Sequence, residues 1–67
     1  MKLYIWRWGI ADNGNPIYNW ATEQYRENIP DTAYMFWLNP EDKSKWEDMD
    51  QIERGDYISL LYEEHVR

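Results

Sequence analysis

The chain has 67 residues, with thirteen Asp and Glu against seven Lys and Arg for a formal charge of −6, and 18% of it is aromatic, including five Trp and six Tyr. That length carries one domain, 1–67, around one core, and the absence of cysteine excludes a disulfide framework or a thiolate metal site. No run approaches the roughly 18 apolar residues of a membrane span and no signal-peptide pattern opens the chain, so a cytosolic protein without membrane contact is expected.

In chain order, residues 2–10 alternate Leu3 and Ile5 against Tyr4, Trp6 and Trp8, which predicts a strand. Asp12-Asn13-Gly14-Asn15 supplies the residues of a tight reversal. From Asn15 a helix is favoured, with Pro16 near its start, an apolar stripe of Ile17, Trp20, Ala21, Tyr25 and Ile29, and its end before Pro30. The competing reading is a strand over 17–20 followed by a short helix from Thr22. Residues 32–38 are apolar on both alternating faces and predict a central strand. Asn39-Pro40-Glu41-Asp42 opens a helix with a cap, a proline at its first position and carboxylates at the positive end of its dipole. Trp46, Met49 and Ile52 of that helix are expected to face the sheet. Arg54-Gly55-Asp56 is read as its end, Tyr57 to Tyr62 as a last strand, and residues 63–67 as a fraying tail. The expected fold is α+β, a small antiparallel sheet of about three strands with two short helices packed on one face.

Little in the chain suggests catalysis. The lone His65, beside Glu63 and Glu64, stands where rigid support is scarce, the three glycines are dispersed, and Ser44 and Ser59 have no neighbouring histidine. Asp48-Met49-Asp50 starts like a calcium loop, but Ile52 replaces a ligand and Glu53 takes the position that needs glycine. No enzyme activity, metal or cofactor is therefore expected. The charge is more informative: Glu41, Asp42, Glu47, Asp48, Asp50, Glu53 and Asp56 face only Lys43, Lys45 and Arg54, a local balance of −4. On a helix advancing about 100° per residue, Glu41, Glu47, Asp48 and Asp50 fall opposite Met49 and Ile52, and Glu63 and Glu64 extend the patch. Such a set serves solubility and the helix dipole. It also reproduces the potential of a nucleic-acid backbone, which makes a basic nucleic-acid-binding protein surface the expected partner. With helices on one face only, Trp6 and Trp8 are candidate anchors on the other, and Trp46 is either an anchor or core. Scattered basic residues argue against direct nucleic-acid binding. A monomer is expected, with a subunit interface on the aromatic face as the competing reading.

Trp46-Glu47-Asp48-Met49-Asp50, Glu53 and the aromatic first strand, in a short acidic chain without cysteine, resemble the small phage-encoded anti-CRISPR inhibitors. That resemblance implies stoichiometric inhibition of a bacterial CRISPR effector, of the type I Cascade kind, in the cytoplasm of the infected host, by occupying the DNA-binding surface of a Cas subunit. A second, shorter likeness concerns Gln51 to Tyr62, which resembles the glycine–aspartate turn into a strand of small PUA and EVE barrels. It implies a reader domain that stacks a nucleobase on Tyr4, Trp6 or Trp8.

Overall fold

The computed structural model describes residues 1–66. Strand β1, Lys2–Ile10, is followed by a reversal in which Ala11 N–H donates to Asn15 O at 2.8 Å and Gly14 N–H to Ala11 O at 2.9 Å, with Gly14 at φ +86°. A side chain at Gly14 would be strained, since left-handed backbone suits glycine. The chain returns directly as strand β2, Pro16–Thr22, antiparallel to β1, and not as the favoured helix. The competing reading holds: β2 ends in a short 3-10 helix, Glu23–Asn28. The tight reversal decides this, because it lays Ile17 to Thr22 along β1, where Tyr18 and Trp20 alternate with Ile17 and Asn19 as a two-sided strand requires.

Strand β3, Tyr34–Trp37, pairs antiparallel with the other side of β1, giving the order β2-β1-β3. The most apolar segment is thus an edge, and the hairpin strand β1 is central. Leu3 lies opposite Thr22 and Phe36, and Ile5 opposite Trp20 and Tyr34, so these share one face. Lys2, Tyr4 and Trp6 share the other with Trp37, Met35, Ala21 and Asn19. The register shifts between Arg7 and Gly9, leaving Trp8 unpaired there.

Helix α1, Pro40–Asp48, starts as expected, with the Asn39 side chain accepting from Asp42 N–H at 2.8 Å. It stops at Met49, whose backbone is extended (φ −78°, ψ 143°), and helix α2, Gln51–Val66, follows at once. The expected break at Arg54-Gly55-Asp56 and the last strand at 57–62 are therefore both overturned. Asp50 explains the earlier break: its Oδ1 accepts from Glu53 N–H at 2.8 Å, capping α2, while its carbonyl accepts from Arg54 N–H at 2.9 Å. Gly55 lies inside α2, where a Cβ would meet nothing within 4 Å. Arg54, Tyr57, Ile58, Leu61, Tyr62 and His65 recur at three and four, a helical stripe. Residues 63–66 are helical rather than frayed, and Arg67 lies outside the described residues.

Leu3, Ile5, Leu38, Trp46 and Ile58 form the buried core, flanked by Tyr18, Trp20, Phe36, Met49, Tyr57, Leu61 and Tyr62. Both helices thus cover the Leu3/Ile5 face, and the fold is α+β, a three-stranded antiparallel sheet with its helices on one side. Trp46 is core, at 3% exposure, whereas Ile52 is 79% exposed and does not face the sheet. The restart of helical phase at Asp50 turns Ile52 outward.

Candidate functional site

The acidic and aromatic candidates occupy opposite layers. Trp6 stands half-buried on the open sheet face and Trp8 is 69% exposed at the break in register, while every carboxylate from Glu41 onward belongs to the helical layer or the link between its helices. Residues 1–39 hold four carboxylates and three cations, against nine carboxylates and three cations in residues 40–66. The excess negative charge of the molecule is therefore concentrated in one layer.

Within that layer the acids differ. Glu41 pairs with Lys45 and Glu47 with Lys43, each at 3.7 Å across one helical turn of α1. These exposed pairs add little stability, but they neutralise the charge locally. Asp50 is committed to its cap. Asp42, half-buried, faces Tyr57, whose phenol pKa is raised by burial first and by that carboxylate second. Asp48 is exposed at the end of α1.

Helix α2 is arranged differently. With Ile58 inward, a rotation of about 100° per residue puts Ile52, Glu53, Asp56, Leu60, Glu63 and Glu64 on the outward arc, and all six are exposed. Glu53 to Glu64 spans about 16 Å of helix. Among the described residues this arc carries no Lys or Arg. The cation of α2, Arg54, is folded inward: its guanidinium lies 5.0 Å from the Trp46 ring centre and 5.9 Å from that of Trp20, and its Nε donates to Trp46 O at 3.1 Å. It thereby satisfies a carbonyl at the end of α1 and stacks on the core indoles. Sequence reasoning found Glu53, Asp56, Glu63 and Glu64 but assigned them to three different elements. The Asp50-Gln51-Ile52-Glu53 pattern, a capping signature, was the signal that unites them.

At the distal end of α2, Tyr18 packs on Tyr62 with ring centres 4.6 Å apart, and burial, then Glu63 and then Tyr62 raise its pKa, opposed by Arg7. His65 packs on Tyr34 at 4.4 Å and Phe36 at 5.5 Å, an aromatic contact that anchors α2 to β3. No group of three or more His, Asp or Glu side chains among the described residues converges as a metal site would require. No described helix is long and apolar enough to cross a membrane.

The sequence matches no family model, and neither a curated protein nor a solved structure matches it. The stretch likened to a PUA or EVE turn and strand, Gln51 to Tyr62, lies in α2, so that turn and strand do not exist in this fold.

Proposed function

We propose that this protein is a small acidic inhibitor that docks the outward arc of α2 on a basic, nucleic-acid-binding surface of a partner protein and blocks that surface by charge mimicry. The observation that carries the reading is the arc itself: four carboxylates, Glu53, Asp56, Glu63 and Glu64, on one side of a helix whose arginine is turned into the core. A groove that binds phosphates with Lys and Arg accepts carboxylates spaced along a rod for the same electrostatic reason. Ile52 and Leu60, 79% and 61% exposed, add apolar contact between the charges, as a protein partner would use and a free polyanion would not.

The resemblance to phage-encoded anti-CRISPR inhibitors supplies the first partner to test, a Cas subunit of a type I Cascade in the bacterial cytoplasm. Added to a Cascade bound to target DNA, the wild-type chain should displace the DNA in a mobility-shift titration. The variant Glu53→Gln, Asp56→Asn, Glu63→Gln, Glu64→Gln should fail to do so. Equal displacement by both chains would rule out mimicry through α2, and no displacement by wild type would rule out this target. The competing function, stacking a nucleobase on Tyr4 or Trp6, has open rings in its favour but only Lys2 and Arg26 close by to meet phosphates.

A further inference from the structure

We infer that the open face of the sheet is a dimer interface, closed by a second copy of this chain packed sheet against sheet. The face is built by Tyr4 and Trp6 of the central strand, Met35 and Trp37 of the edge strand, and Lys2 and Asn19 beside them, with Trp8 at its end. Trp37 is 66% exposed and Met35 49%. Helices α1 and α2 and the core around Leu3 and Ile5 lie on the other side of the sheet. On this side Ala21 is buried and the 3-10 helix and the link at 29–33 border Tyr4, while Trp8, Met35 and Trp37 stay exposed.

Charge selects the occupant. The helical layer of one copy repels that of another, because among the described residues it carries nine carboxylates against three cations over 40–66. The sheet half is close to neutral, so face-to-face pairing joins the two nearly neutral sides and keeps the two acidic layers far apart. A nucleic acid would need clustered cations, and the face offers Lys2, with Arg26 and Asp31 bordering Tyr4. A flat apolar face is complementary to its own copy under a two-fold axis, and sheets pack this way about 10 Å apart. Area is sufficient as well. An aromatic side chain carries roughly 150 to 250 Å², so Trp8 and Trp37 each offer on the order of 150 Å² and the whole face about 600 Å². Two such faces bury about 1,200 Å², the lower end of the range for stable interfaces, which implies a dimer that dissociates on dilution.

This inference stands apart from the proposed function, since it uses none of the carboxylates of α2. Sedimentation equilibrium over a series of concentrations tests it. The wild-type chain should approach twice the chain mass at the highest concentrations, and Trp37→Lys and Met35→Lys should each lower the association constant at least tenfold. As both side chains are exposed, their variants should keep the wild-type circular dichroism. Hydroxyl-radical footprinting of the wild type provides a reading without mutation: oxidation of Met35 and Trp37 should fall as concentration rises, while that of Leu60 stays level. A single-chain mass at every concentration would overturn the proposal. So would a dimer lost in Leu60→Lys but retained in Met35→Lys, which would place the interface on α2. Quenching of tryptophan fluorescence by an oligothymidylate, absent in Trp37→Lys, would assign the face to nucleobases and overturn it too.

Discussion

At the scale of single residues, Asp50 and Arg54 decide what the acidic layer presents. Asp50 spends its carboxylate on Glu53 N–H, so it fixes where α2 begins and is not a free charge for a partner. Asp50→Ala should cost about 1 kcal/mol of stability in urea unfolding, and Asp50→Ser, which keeps an acceptor at the cap, should recover most of it. An Asp50→Ala chain as stable as wild type would remove the cap from the account. Two tyrosines give a second reading. The phenols of Tyr18 and Tyr57 both have raised pKa values, through burial first and then nearby carboxylates, Glu63 for the one and Asp42 for the other. A phenol whose pKa is higher folded than unfolded lends stability that is complete below the unfolded value near 10 and is lost as pH climbs through the folded value. Spectrophotometric titration should therefore show a late-ionising component that shrinks in Tyr57→Phe and in Tyr18→Phe. Stability should decline across that alkaline interval. A late component that is unchanged in both variants would contradict these environments.

At the scale of elements, Gly55 distinguishes the helix from the break that composition suggested. Were Gly55 a left-handed cap, alanine there would be strained. Inside α2, with nothing within 4 Å of a Cβ, Gly55→Ala should stabilise by about 0.5 to 1 kcal/mol, read as a higher urea midpoint with an unchanged slope. A loss of stability would restore the break. The same region shows what the sequence disclosed. Strand β1, the reversal at Gly14 and the start of α1 at Asn39 were legible because each rests on local chemistry: alternation, left-handed backbone and a side-chain cap. Residues 57–62 were misread because Tyr, Ile and Leu favour strands locally, whereas the stripe of Arg54, Ile58, Leu61, Tyr62 and His65 is visible only over a window longer than a strand. Strand β2 was misjudged because Ile17, Trp20 and Ala21 also fit a helical stripe, and only pairing with β1, a tertiary fact, separates the two. The central place of β1 was hidden for a similar reason. Strand β3 is apolar on both sides, which reads as a central strand, yet its second side, Met35 and Trp37, is open.

At the scale of the whole molecule, the structure divides acid from aromatic. The sequence already puts Trp6 and Trp8 on the face away from the helices, and the fold sets Trp6 there with Trp8 at the break in register, on a nearly neutral layer opposite the strongly negative one. Each layer then has its own task in this account: the sheet face for a second copy, the arc of α2 for a basic partner. Pairing through the sheets would leave two acidic arcs facing outward from one dimer, so a partner with two basic sites would be held by both. The neutralised variant Glu53→Gln, Asp56→Asn, Glu63→Gln, Glu64→Gln keeps the half-buried Arg54 contacts and the cap at Asp50, which makes it the sharpest probe of the arc. Wild-type and neutralised chains would be immobilised in parallel, exposed to bacterial lysate containing a type I Cascade, and washed at low and at high salt. The account predicts that the wild type alone retains a nucleic-acid-binding protein, that DNA competes it off, and that high salt releases it as screening shortens the reach of the carboxylates. Retention of the same protein in equal amount by both chains would contradict the claim that the arc of α2 is the binding surface.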